Sequence, residues 1–113
     1  MTDIKRIDVG PRMSQAVVHG NLVFLAGQVA QRAPGASVTE QTKDILARID
    51  ELLAEAGSDK TKLLSATIWI TDMGSFNEMS AVWDAWVSPG NTPGRACVEA
   101  KLAAPQFTVE IAV

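Results

Sequence analysis

Hydrophobic and polar positions along this chain repeat with two periods. A period of two marks strands, and a spacing of three and four marks helices. Ile4 to Val9 alternates briefly before Gly10-Pro11 breaks it, which predicts a first strand. Gln15 to His19 and Leu22 to Ala26 are two β-rich runs meeting at Gly20-Asn21, the composition of a tight hairpin. Gln31 to Ser37 contains Pro34-Gly35 and reads as a loop. Ile45, Leu46, Ile49, Leu52, Leu53 and Ala56 then share one helical face. Ser37-Val38-Thr39-Glu40 has the form of a capping box that opens this helix, and Gly57 is placed to stop it.

The second half repeats the alternation. From Leu63 to Thr71, Leu64, Ala66, Ile68 and Ile70 fall on one face, with Leu63, Ser65, Thr67 and Trp69 on the other. Ser75-Phe76-Asn77-Glu78 has the form of a second capping box. It precedes a helix whose apolar stripe is Phe76, Met79, Trp83 and Trp86 and which ends at Pro89-Gly90. Arg95 to Leu102 alternates with Arg95, Cys97, Glu99 and Lys101 on one side. After a turn at Pro105, Phe107, Val109, Ile111 and Val113 line one face of a last strand, with Glu110 opposite.

The predicted order is β-β-β-α-β-α-β-β over a single domain, residues 1–113. This is an α+β fold with two helices on one face of a mixed, mainly antiparallel sheet. The face away from the helices is expected to carry Leu63, Trp69 and Cys97 without intrachain cover, which predicts self-association.

Composition narrows the chemistry. In 113 residues there are 10 Lys+Arg against 13 Asp+Glu, a net charge of −3, so the basic excess of a general nucleic-acid binder is missing. Nucleic acid is therefore not an expected partner. No apolar run approaches a membrane span, and the first residues lack the apolar core of a signal peptide. A cytoplasmic protein without a membrane partner is expected. With one cysteine, Cys97, and one histidine, His19, neither an intrachain disulfide nor a Cys/His zinc cluster can be assembled, and no metal site is expected. The glycines are scattered at turns and do not form a phosphate-binding fingerprint.

Three polar residues stand out by position. Arg95 follows Thr92-Pro93-Gly94 at a strand start, where its fork could take a carboxylate through two parallel hydrogen bonds. On the residues alone the simpler reading is a surface arginine. Glu110 interrupts an apolar strand; solvent exposure is the simpler reading, and a water-holding or proton-moving role the sharper one. A hairpin around Pro105 would bring Arg95 and Glu110 together. Cys97 shares the strand face of Arg95, but no neighbouring base is present, and a small half-buried side chain is the simpler reading.

Ser14-Gln15-Ala16-Val17, Asn21 to Gln28, Ala66 to Asp72, Pro93 to Glu99 and Val109-Glu110-Ile111 together resemble the RidA/YjgF family, in order and along nearly the whole chain. The resemblance implies a chorismate-mutase-like α+β fold. It implies a homotrimer with a small carboxylate substrate bound at each subunit interface. The implied activity is hydrolytic deamination of reactive 2-enamine and 2-imino acids, the 2-aminoacrylate type, to 2-oxo acids and ammonia, with no cofactor. It carries the substrate carboxylate to Arg95, a ligand-facing backbone amide to Cys97, the glycine beside the ligand to Gly27, and the water-positioning carboxylate to Glu110.

Two positions depart from the pattern. Met13 stands where the family has a tyrosine on the pocket wall, and Ser80 where an asparagine is common. Loss of the tyrosine hydroxyl predicts a more apolar pocket, with bulkier substrates preferred or slower deamination. Two other functions use parts of the same site. A non-catalytic trimer that binds small carboxylates as a regulator would need Arg95 but not the chemistry of Glu110. Chorismate mutase, suggested by fold analogy alone, would need several cations around a dicarboxylate, where only Arg95 can be placed.

Overall fold

The computed structural model describes residues 3–113. Three antiparallel strands come first: β1 (Ile4–Val9), β2 (Ser14–His19) and β3 (Leu22–Leu25). His19 pairs with Leu22, so the β2–β3 turn is the two residues Gly20 and Asn21. Gly20 takes φ 62°, the positive value such a turn needs and which glycine adopts without a Cβ penalty.

A second sheet, in the order β4-β7-β5-β6, is built from β4 (Gln28–Val29), β5 (Ser65–Ile70), β6 (Gly94–Glu99) and β7 (Val109–Ala112). The two sheets are stitched where Leu25 N–H donates to the Val113 carbonyl at 3.0 Å and Ala26 N–H to the Gln15 carbonyl at 2.9 Å. The helices are α1 (Val38–Glu55) and α2 (Phe76–Trp86). The two-residue β4 is too short to show a period and has no counterpart in the sequence expectation.

α1 forms as its sequence dictates. Ser37 Oγ accepts from the Glu40 amide at 3.1 Å, satisfying one of the amides a helix start leaves free. The reciprocal half of the capping box is absent, since Glu40 leans toward Lys43 instead. At the other end Gly57 takes φ 80°; its amide donates to Ala54 and that of Ser58 to Leu53, the paired bonds of a Schellman stop. Ile45, Leu46, Ile49, Leu52 and Leu53 are buried against Ala66, Ile68 and Ile70 of β5 and Val109 and Ile111 of β7, which form the core.

The second capping box does not form. Ser75 closes a 3₁₀ turn over Met73–Ser75 and has ψ near 1°, not the extended conformation from which an N-cap side chain reaches forward. Asp72 caps that turn through the Gly74 amide at 2.9 Å. Glu78 serves the other helix, accepting from the amide and hydroxyl of Thr39, both at 2.9 Å. The predicted α2 stripe holds: Met79 and Trp83 are buried, with Phe76 and Trp86 packed on the core.

The hairpin expected between Arg95 and Glu110 is also absent. β6 runs parallel to β5, joined to it through α2, while β7 inserts on the other side of β5 in antiparallel register. A parallel partner needs a crossover, and α2 supplies it. Leu64 precedes β5 and is 75% exposed, not part of its buried face. The expected uncovered face is likewise corrected: Leu63 and Cys97 pack against the core, Cys97 because it stands beside the buried Ile68. Trp69 does stand on the helix-free face, beside Glu110 and Val98. Among the described residues no helix is long and apolar enough to cross a membrane.

Candidate functional site

The sequence-chosen residues fall into two groups. Met13, Gly27 and Glu110 line one cavity of about 780 Å³, together with Gln15, Val29 and Phe107. Arg95 and Cys97 lie elsewhere, on β6.

In the first group β7 carries Glu110 opposite Val29 of β4 and Trp69 of β5. Its neighbours Val109 and Ile111 point into the core, so Glu110 points away from the helices. Its carboxyl group lies over Gly27. A Cβ at that position would clash with Oε2 and fall 2.9 Å from Cδ. A side chain here would push the Glu110 carboxyl group aside, so the bare backbone of Gly27 is what lets the carboxylate rest there; its φ is not positive.

The turn holding Gly27 is fixed by an amide pair that sequence reasoning did not single out. Gln28 is only 5% exposed, and its Nε2 donates to Gln15 Oε1 at 2.9 Å and to the Ala26 carbonyl at 3.0 Å. The available signal was a glutamine directly after the glycine, in a segment that returns to apolar residues at Val29 and Ala30. Met13 stands at the cavity wall with Val29 and Phe107, so that wall is apolar.

The mouth of the cavity carries two further arginines, both already engaged. Arg32 Nε meets Asp44 Oδ1 at 2.8 Å and its Nη2 meets Glu51 Oε2 at 2.9 Å; these hydrogen bonds hold its guanidinium charged even more firmly than usual. Arg48 Nη2 meets Asp8 Oδ2 at 2.5 Å, and Asp8 has the left-handed φ of 52°. A substrate carboxylate at either arginine would have to compete with an acidic partner already in place.

Arg95 differs. It is exposed and, among the described residues, forms no ion pair with a carboxylate. Its register partner is the buried Ala66, so it points to the helix side of the sheet. There Nη2 donates to Ser80 Oγ at 3.3 Å. β6 has β5 on one side only. Gly94 N–H donates to the Leu64 carbonyl and Ala100 N–H to that of Ile70, so the even-numbered amides point at β5. The amides of Arg95, Cys97 and Glu99 therefore point to the open edge. The guanidinium of Arg95 and the backbone N–H of Cys97 are thus presented from the same unpaired edge, a donor set suited to a carboxylate.

The Cys97 thiol is half-buried. Burial pushes its pKa up, while the nearby Arg95 charge pulls more weakly the other way. A raised pKa leaves less thiolate at neutral pH, which is the wrong direction for a nucleophile. Alkylation of Cys97 by iodoacetamide should therefore reach half its maximal rate at a higher pH than for a free cysteine. In Arg95→Ala that midpoint should move higher still, because the opposing charge is gone. A midpoint below that of free cysteine would contradict the assignment.

Arg95 and Glu110 do not meet within one protomer. Arg95 registers with Ala66 and Glu110 with Trp69, two strands apart laterally and three residues apart along β5. That places their Cα atoms about 14 Å apart, on opposite faces of the sheet. The site is split into a carboxylate-ready edge and a cavity carrying a glutamate. Among the described residues no three His, Cys, Asp or Glu side chains cluster as metal ligands.

Comparison with known proteins completes the picture. Residues 4–113 match the family model described as Endoribonuclease L-PSP. A RutC family protein of Haemophilus influenzae is 43% identical over 110 residues, covering 97% of this chain and 95% of that protein. The RutC family protein YoaB of Escherichia coli strain K12 is 40% identical over the same length, again with 97% and 95% covered. The crystal structure of a YjgF-family protein from Neisseria meningitidis superposes with a TM-score of 0.93 at 51% identity, covering 97% of this chain and 91% of that one. A Mycobacterium tuberculosis structure of the YjgF/YER057c/UK114 family gives 0.87 at 27% identity, with 97% and 96% covered.

Proposed function

This chain belongs to the Endoribonuclease L-PSP family, the YjgF/RidA family, and from that premise we propose that it hydrolyses reactive 2-enamine and 2-imino acids to 2-oxo acids and ammonia. The observation that carries the reading is Glu110, a carboxylate seated over the bare backbone of Gly27 on the cavity wall and paired with no cation among the described residues. A carboxylate so placed can hold a water and accept its proton.

The reaction needs little else. Arg95 takes the substrate carboxylate, and the Cys97 amide and the Gly27 backbone set its orientation. Glu110 removes a proton from water as the oxygen adds to the imine carbon. That proton goes to nitrogen to give the carbinolamine; Glu110 then moves the hydroxyl proton to nitrogen as the C–N bond breaks, so the carbonyl forms and ammonia leaves the 2-oxo acid behind. An imine carbon is already electrophilic, so positioning and proton transfer carry the rate.

Because Arg95 and Glu110 point to opposite faces of one sheet, the complete site in this reading forms between copies, with β6 of one protomer laid against the Glu110 cavity of the next. Apolar surface on the helix-free side favours such association: Phe24 is 57%, Val98 45% and Leu22 43% exposed. A homotrimer with three such sites is the proposed assembly. Light scattering at micromolar concentration should give about three times the chain mass. A monomer would remove the shared site.

The family description speaks of RNA cleavage. Here the net charge of −3 and the single histidine, His19, exposed at the β2–β3 turn, supply neither a basic surface excess nor a histidine acid–base pair. The direct test is to mix the protein with a pyridoxal-phosphate lyase that releases 2-aminoacrylate and follow pyruvate. Pyruvate should appear faster than by spontaneous hydrolysis. If it does not while 2-oxo acids still bind, the small-carboxylate-binding regulator is the correct reading.

A further inference from the structure

Among the described residues no carboxylate holds Arg95, yet its guanidinium is not loose. Its Cζ lies 5.5 Å from the ring centroid of Phe76 and 5.6 Å from that of Trp83. Between them Ser80 Oγ accepts from Nη2 at 3.3 Å. Phe76, Ser80 and Trp83 stand at positions i, i+4 and i+7 of α2, which is one face of a helix. Trp83 is itself fixed, being buried and packed against Trp86 with centroids 5.4 Å apart.

We propose that Phe76, Ser80 and Trp83 are positioning residues that hold the Arg95 guanidinium ready for a carboxylate ligand. The inference rests on the reading that Arg95 is the carboxylate-binding group. A guanidinium offers five N–H donors, of which Ser80 takes one, so enough remain for two parallel bonds to a carboxylate. The ring faces attract the cation without neutralising it or using its donors. An acidic partner would hold the side chain equally well but would neutralise its charge and compete with the ligand, as Asp8 does at Arg48. An aromatic cradle restrains the rotamers of a long side chain beforehand, which lowers the ordering cost at binding. The arrangement follows from the topology: α2 is the crossover between β5 and β6, so the face that packs on the sheet also passes the first residues of β6.

The test is the affinity of the folded protein for 2-oxobutyrate, measured by calorimetry in wild type, Phe76→Leu, Phe76→Trp, Ser80→Ala and Arg95→Ala. Leu keeps an apolar side chain at the half-buried Phe76 position but has no ring face. Phe76→Leu should weaken binding about fivefold, and Phe76→Trp should bind within about twofold of wild type. Ser80→Ala should weaken binding about threefold, because the guanidinium plane loses its lateral anchor. Thermal melts identify any variant that has lost its fold, and Ser80→Ala, at a half-buried position of α2, is the second variant that tests the cradle should Phe76→Leu fail to fold. Equal affinity of Phe76→Leu and wild type, with Arg95→Ala inactive in binding, overturns the cradle and leaves the carboxylate reading intact. Equal weakening by Phe76→Leu and Phe76→Trp also overturns it, because only packing would then be at stake. Unchanged affinity in Arg95→Ala overturns the cradle and the carboxylate reading together.

Discussion

Replacing Arg95 with alanine should abolish measurable binding of small 2-oxo acids, at a cost of about 2–5 kcal/mol, the range for removing one partner of a desolvated charge pair. The size of the effect follows from how few substitutes exist. Among the described residues Arg32 and Arg48 already carry acidic partners in Asp44, Glu51 and Asp8, and Arg6 and Arg12 lie on β1 and in the β1–β2 loop, so no other guanidinium stands on β6 beside the Cys97 amide. Lysine at position 95 should rescue poorly. Its ammonium is a point charge without the planar fork, and it cannot donate two parallel bonds while also bonding Ser80. Isothermal titration of the folded variants with 2-oxobutyrate checks both claims. Wild-type affinity in Arg95→Ala would reject the β6 edge as the carboxylate site.

Glu110→Gln should act on turnover and leave binding in place. Glutamine keeps the shape that packs over Gly27 and still accepts a hydrogen bond, but it is a far poorer proton acceptor. General-base loss typically lowers rates by about 10²–10⁴-fold, and that loss should appear in kcat while 2-oxo acid affinity is retained. Met13→Tyr, on the same cavity wall, restores the hydroxyl of the family pattern and should raise the rate on small substrates such as 2-aminoacrylate. If wild type, Glu110→Gln and Met13→Tyr all match spontaneous hydrolysis, catalysis is rejected and the binding role remains.

The elements legible in the sequence were those fixed by local chemistry. Ser37 and Gly57 bound α1 because a hydroxyl satisfies a free amide and a glycine accepts a positive φ, both within a few residues. The β5 face Ala66, Ile68 and Ile70 followed from alternation alone. What was not legible depended on distant partners. Glu78 has the spacing of a capping residue for its own helix, but it caps α1 through Thr39, thirty-nine residues earlier. Adjacency in sequence predicts a hairpin between the last two strands, whereas β5 lies between them. Local pattern contains no term for which neighbour a strand chooses.

The candidate site was legible in part for the same reason. Arg95 stood out by the Pro93-Gly94 step before it, and Glu110 by its charge in an apolar strand. Their separation onto opposite faces could not be read, because parity along each strand is local but parity between strands needs the register. The engagement of Gly27 by Glu110 and the Gln15–Gln28 amide pair are contacts between segments far apart in the chain.

The split of Arg95 and Glu110 between faces gives the most direct test of a catalytic site shared between copies. Arg95→Ala and Glu110→Gln proteins, each nearly inactive alone, are mixed in equal amounts, unfolded and refolded together, and assayed for pyruvate formation from 2-aminoacrylate. In randomly mixed closed trimers about a quarter of the interfaces pair an intact Arg95 with an intact Glu110, so about a quarter of wild-type activity should return. Recovery near that level is the expected result; mixed trimers with no more activity than the two variants measured separately would contradict the shared site.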